Sequence, residues 1–229
     1  MANIVITGAG RGIGLGLAQT YAERGDRVYA LVRDTAKSAD LTALAEGSNG
    51  KVSVHKLDAA DVASIPAAIE AIDCDSVDVL YNVAGNTGPD SGELENPIDW
   101  DAWDESIDVM LKAPFAITKG FLPKMGKGSR VVNFSSQLAA STWPFGGYYV
   151  YVAAKTGLLG LTRAMAIDLK DRGITLISLH PGWVQTDMGG PNAEITTDES
   201  VAGITALADR LTVEDSGGFF KWNGEPHPL

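Results

Sequence analysis

The sequence predicts an α/β fold: a doubly wound, seven-stranded parallel sheet with helices on both faces. Three observations predict it. Short apolar runs alternate with amphipathic stretches along all 229 residues, the pattern of repeated strand–helix units. The apolar runs are rich in Val, Ile, Leu and Tyr without polar alternation, as expected of strands covered on both faces. A glycine-rich segment also lies between the first such run and the first amphipathic stretch.

In chain order, the strands are expected at Asn3–Thr7, Arg27–Arg33, Lys51–Leu57, Val77–Asn82, Ser129–Ser135, Ile174–His180 and Gly218–Trp222. The helices are expected at Ile13–Arg24, Thr35–Glu46, Val62–Ile72, Ile98–Met125, Val150–Arg172 and Asp198–Leu211. Crossovers between parallel strands should be right-handed. No linker, repeat or low-complexity tract interrupts the pattern, so residues 1–229 read as one domain.

Composition narrows the function classes. With 18 Lys+Arg against 29 Asp+Glu the net charge is −11, which argues against nucleic acid or anionic membrane as main partners. The one cysteine, Cys74, excludes an intrachain disulfide framework and any multi-cysteine metal site, so no metal is expected. Neither a secretory signal pattern nor an apolar run long enough to span a bilayer is visible, and a cytoplasmic location is expected. Glycine is in excess, at 26 residues, and five of these fall within Gly8–Gly16.

That cluster reads Thr7-Gly8-Ala9-Gly10-Arg11-Gly12-Ile13-Gly14. Glycines at 8, 12 and 14 let the backbone turn tightly and approach a pyrophosphate, and the helix opening near Ile13 presents free N–H groups to the phosphates. The context, directly after a strand and before a helix, points to a Rossmann-type dinucleotide site. The second strand ends Val32-Arg33-Asp34. An acidic side chain at such a strand end bonds a ribose 2′-hydroxyl, whereas a guanidinium binds a 2′-phosphate bidentately. Arg33 therefore favours NADP(H), unless Asp34 faces the ribose in its place.

Tyr151 and Lys155 lie four apart on an expected helix and share one face. A nearby ammonium lowers the phenol's pKa toward the range useful for proton exchange. The strand at 129–135 ends in the pair Ser135-Ser136, and the strand at 174–180 is followed by Pro181-Gly182-Trp183-Val184-Gln185-Thr186.

Together these motifs resemble the short-chain dehydrogenase/reductase family. The likeness runs from Thr7 to the Gly224 region. The tracts Gly146–Lys155 and Leu179–Gly190 and the ending Gly217–Gly224 resemble its sniffer/C-factor-like carbonyl reductases. The resemblance implies reversible hydride transfer between NADP(H) and a carbonyl/alcohol pair. It implies Tyr151 as proton donor and acceptor, Lys155 as the group that lowers its pKa and bonds the nicotinamide ribose, and Ser136 as the residue that positions the carbonyl. It places Arg11 as a second basic residue toward NADP, Asp58 at the adenine, and Asn82, Ala84 and Gly85 along the cofactor. Pro181, Gly182, the Val184 backbone and the Thr186 hydroxyl fall at the nicotinamide. A structural role in the sheet is an equal contender for Asn82, and His180 reads as a packed strand-end residue.

Ser136 lies 15 residues before Tyr151, slightly longer than the family spacing, which implies a small insertion around Trp143–Gly147. Leu138, Trp143, Phe145, Tyr148, Trp183 and Met188 are candidate substrate-lining residues, and the short segment Met188–Ser200 suggests an open pocket. The partner is a small carbonyl or alcohol, and a homodimer through the long helices is the family habit. One departure stands out: Met110 occupies the position of the family's Asn, which supports a water-linked proton relay. The alternative reading is an NADP-binding sensor or signalling protein of the same fold with little turnover.

Overall fold

A computed structural model describes residues 1–89 and 94–229. Its sheet has seven parallel strands in the order β3-β2-β1-β4-β5-β6-β7. They are β1 Asn3–Thr7, β2 Arg27–Val32, β3 Val52–Lys56, β4 Val79–Asn82, β5 Arg130–Phe134, β6 Thr175–His180 and β7 Phe219–Lys221. The order reverses between β1 and β4, the kind of switch point at which open α/β sheets bind ligands beyond their carboxyl ends.

The helices are α1 Gly12–Glu23, α2 Ala39–Gly47, α3 Ile65–Glu70, α4 Trp100–Ile107, α5 Ala113–Phe121, α6 Tyr149–Leu169 and α7 Thr197–Arg210. Alternation along β1 shows how they are held. Ile4 and Ile6 pack with Leu17 of α1 and Ile204 of α7, while Val5 packs on the other face with Ile117 of α5 and Met165 of α6. All three β1 side chains are fully buried, and each contributes about 1.5–3 kcal/mol relative to exposure.

The helix expected at Ile98–Met125 is broken. A π turn over Asp108–Lys112 separates α4 from α5, with the Ala113 N–H donating to the Asp108 carbonyl five residues back. Pro114 explains the slip: it has no N–H to give the Met110 carbonyl, so the α register cannot continue. The helix expected at Thr35–Glu46 starts with a 3₁₀ turn at Thr35–Lys37, which the Asp34 side chain caps by accepting from the Ala36 N–H. That expected at Val62–Ile72 is likewise a 3₁₀ turn, Val62–Ser64, followed by the short α3 with Pro66 in its first turn.

Two polar links tie the switch point together. The Thr7 hydroxyl accepts from the N–H groups of Val83 and Ala84 at 3.0 and 3.1 Å. The Asn82 amide donates to Asn133 Oδ1 at 2.8 Å, and the Asn133 amide donates to Thr162 Oγ1 at 2.8 Å. This buried chain joins β4, β5 and α6, so Asn82 orders the sheet beneath the site.

Candidate active site

At the carboxyl ends of β1 and β4 opens a cleft of about 610 Å³, within the range of cofactor sites. Its walls contain Gly8, Arg11, Gly12, Ile13, Gly14, Arg33, Asp58, Ala84, Gly85, Tyr151, Lys155, Pro181, Thr186 and Met188. Residues predicted from six separate segments thus meet in one place. Asn82, Gly182 and Val184 lie outside the lining. Val184 is buried.

The glycine turn is a cradle that side chains would fill. A Cβ on Gly14 would lie 2.3 Å from the Gly8 carbonyl oxygen. Gly8 itself has φ +67° and approaches the Ala84 backbone so closely that a Cβ would meet it at 3.0 Å. No side chain caps the start of α1, so its first N–H groups and the positive end of its dipole face the cleft uncovered. These features suit a pyrophosphate.

At the rim, Arg33 points into the cleft while Asp34 turns away, capping its 3₁₀ turn and pairing with Lys37 at 3.5 Å. Of the two side chains, only that of Arg33 lines the cleft. Arg11 bonds Asp187 across the cleft at 2.8 Å, and Arg33 lies 3.9 Å from Glu105 of α4.

At the floor, α6 places Tyr151 and Lys155 one turn apart, with the ammonium 5.6 Å from the phenol ring centroid. The Lys155 ammonium donates to the Phe134 carbonyl at 2.6 Å. Ser135 holds the same turn of α6 by donating to the Lys155 carbonyl at 3.0 Å. Ser136 is buried and caps the following 3₁₀ turn by accepting from the Leu138 N–H at 3.2 Å. Ser135, not Ser136, contributes to the cleft wall, yet the Ser136 hydroxyl lies beside the Tyr151 phenol and favours its ionised form.

Charge states differ from the sequence-based expectation in one respect. Burial raises the Tyr151 phenol above its ordinary value, and the hydrogen bond with Ser136 offsets this only in part. The ammonium is itself fully desolvated, which lowers its pKa to about 8, and its hydrogen bond goes to a carbonyl. Met110 is fully buried, and a Cβ on Gly85 would lie 3.8 Å from its Cγ and 3.6 Å from the Lys155 Nζ. The thioether and the ammonium therefore flank the same point. His180 stays neutral: burial, then His227 and Lys221, lowers its pKa to about 4.

The candidate substrate residues divide. Met188 lines the cleft. Leu138, Trp143 and Phe145 line a second cleft of about 380 Å³ with Tyr149, Val152 and Ala153. The last three lie about 100–200° around α6 from Tyr151, so the helix body separates the two clefts. Tyr148 and Trp183 line neither and are exposed, with the Trp183 indole N–H donating to the Gly189 carbonyl at 2.8 Å. Gln185, Asn86 and Val109, not singled out from sequence, belong to the first cleft. The base of the segment after β6 is pinned by the Gln185 N–H to the Ile195 carbonyl at 2.9 Å and the Ile195 N–H to the Trp183 carbonyl at 3.1 Å. No helix among the described residues is long and apolar enough to cross a membrane.

The short chain dehydrogenase family model matches residues 2–196. The C-signal protein of Myxococcus xanthus is 37 % identical over 157 residues, 66 % of this chain and 92 % of that protein. Among solved structures, the carbonyl reductase Sniffer of D. melanogaster superposes with a TM-score of 0.91 at 26 % identity, covering 100 % of both chains. The NADPH-bound carbonyl reductase from chicken fatty liver gives 0.89 at 29 % identity, covering 100 % of this chain and 99 % of its own. The chain belongs to the short-chain dehydrogenase family, and within it to the sniffer/C-factor-like type.

Proposed function

We propose that the chain is an NADP(H)-dependent oxidoreductase that interconverts a ketone or aldehyde and its alcohol. One observation carries the reading: a single cleft joins two guanidinium groups and a glycine cradle at one end to Tyr151 and Lys155 at the other. The names of the similar solved proteins, carbonyl reductases with NADPH bound in one case, support it. Gly8, Gly12, Gly14 and the start of α1 hold the pyrophosphate. Arg11 and Arg33 hold the 2′-phosphate, Asp58 the adenine side, and Pro181, Val184 and Thr186 the nicotinamide side. When bound, the nicotinamide supplies a hydride for the carbonyl carbon.

The chain's own groups handle the proton. Ser136 accepts from the Leu138 N–H, so its O–H is left to donate, to the Tyr151 oxygen or to the oxygen of a bound carbonyl. Tyr151, protonated at neutral pH because burial raises its pKa, gives its proton to that oxygen as negative charge develops there. The Lys155 ammonium stabilises the phenolate left behind. Oxidation runs the same groups backward and needs the phenolate, so it should gain at high pH.

Lys155 gives the alkaline-side dependence a sign. Its pKa of about 8 means the stabilising charge is present below pH 8 and lost above it. For reduction, kcat/KM for NADPH, which reports the free enzyme, should be flat at low pH and fall as pH rises through about 8. A profile flat to pH 10 would remove this role from Lys155.

Met110 is expected to permit turnover while leaving Lys155 without a polar side chain to bring water to it. Met110→Asn should raise kcat or move the alkaline limb of the profile. If kcat and the profile are both unchanged, Met110 has no part in proton supply.

The reading is tested by following NADPH absorbance against a panel of ketones and aldehydes, with NADH in parallel. Consumption with NADPH at a KM at least tenfold below that for NADH is expected. A tenfold preference for NADH would overturn the cofactor assignment. Tight NADPH binding without turnover on any carbonyl would favour the sensor reading, to which the C-signal likeness and Met110 point.

A further inference from the structure

We propose that Glu105 and Asp187 narrow the cofactor specificity of this cleft, by competing with the 2′-phosphate for the two guanidinium groups it needs. The inference rests on the reading of the cleft as an NADP(H) site and adds two residues to it. Both carboxylates line the cleft, and each engages one of the two arginines: Asp187 holds Arg11 at 2.8 Å, and Glu105 lies 3.9 Å from Arg33. The charged side chains in the cleft wall are Arg11, Arg33 and Lys155 against Asp58, Glu105 and Asp187. Each arginine thus already has a carboxylate beside it before any cofactor arrives.

Local structure fixes the carboxylates where they stand. Glu105 lies on α4 one turn before Val109 of the π turn, and both line the cleft. The helix start is anchored by the Asp99 side chain, which accepts from the Ala102 N–H at 3.0 Å. Asp187 sits in a tight turn closed by the Gly190 N–H to the Thr186 carbonyl at 2.8 Å and the Gly189 N–H to the Thr186 hydroxyl at 3.2 Å.

A 2′-phosphate carries about −1.5 to −2 charges at pH 7. It must displace the carboxylates from the guanidinium forks or sit against them, and both cost binding free energy. A cofactor with a plain 2′-hydroxyl incurs neither cost. The carboxylates therefore narrow the preference for the phosphorylated cofactor. Both pairs are solvent-exposed, so each effect is modest and screened by salt.

The test is calorimetric binding of adenosine 2′,5′-bisphosphate and of AMP to the wild type, Glu105→Gln, Asp187→Asn and the double variant, at low ionic strength. Each amide should tighten bisphosphate binding by about two- to fivefold, leave AMP unchanged, and lose its effect as salt is added. Bisphosphate affinity unchanged or weakened in both single variants overturns the competition, as does an equal gain for AMP. The NADP(H) reading is judged separately by the wild type. If the wild type binds both probes equally while the variants gain for the bisphosphate, that reading falls and the competition stands. If the wild type prefers the bisphosphate and the variants match it, the competition alone falls.

Discussion

Tyr151→Phe is expected to lower kcat by about 10²–10⁴-fold while NADPH binds as in the wild type. The phenol lines the cleft next to Ser136 and carries the proton to be donated, and phenylalanine keeps its shape without the O–H. Ser135 and Ser136 hold the surrounding backbone through bonds to the Lys155 carbonyl and the Leu138 N–H, neither of which uses the phenol. The glycine cradle and the arginines are likewise untouched, so a fluorescence titration with NADPH should be unchanged. Turnover retained at the wild-type rate would take Tyr151 out of the mechanism.

Lys155→Met should separate activity from stability, in opposite directions. Turnover should fall by at least tenfold, because the cation beside the phenol ring is lost and Ser136 alone is left to favour the phenolate. The fold should become more stable. Burial lowers the Lys155 pKa from 10.5 to about 8, so at neutral pH the chain carries a desolvated charge. The folded state then binds fewer protons than the unfolded state between about pH 8 and 10.5. The destabilisation is therefore full below pH 8 and fades as pH approaches 10.5. Removing the charge releases this cost, offset by leaving the Phe134 carbonyl without its donor. The net gain should be about 1–2 kcal/mol at neutral pH, read as a melting temperature a few degrees higher and a difference from wild type that shrinks toward pH 10. A lower melting temperature at pH 7 would show that the ammonium supports the fold.

The strands were the most legible part of the sequence. The side chains of the inner strands are buried on both faces, so runs such as Ile4-Val5-Ile6 carry the signal without any partner being known. The glycine turn was legible for a related reason: a positive φ and a 3.0 Å approach to the Ala84 backbone at Gly8, and a 2.3 Å approach to the Gly8 carbonyl oxygen at Gly14, leave no room for a Cβ. The break before α5 was readable in principle, since Pro114 cannot supply an N–H to the Met110 carbonyl. So was the direction of Asp34, because an aspartate two residues before a free N–H is a cap signal.

Other features depend on distance in sequence and were not readable. Asp187 reaches Arg11 across 176 residues, and no local pattern announces such a pair. The separation of Leu138 and Trp143 from Tyr151 depends on the path of the loop around α6, where Tyr148 takes a left-handed conformation with φ 53° that its residue type does not signal. The upward shift of the Tyr151 phenol likewise follows from burial, which outweighs the hydrogen bond with Ser136, and burial is not visible in the spacing to Lys155.

The most direct test of hydride transfer coupled to Tyr151 uses NADPH deuterated at the transferring carbon of the nicotinamide, in each of its two stereochemical forms. The alcohol formed from a reduced ketone is then analysed by mass spectrometry. One of the two forms should place a single deuterium on the carbinol carbon, and Tyr151→Phe should suppress that product with NADPH still bound. Alcohol without deuterium from either form, or no alcohol from any carbonyl while NADPH binds, would contradict the account.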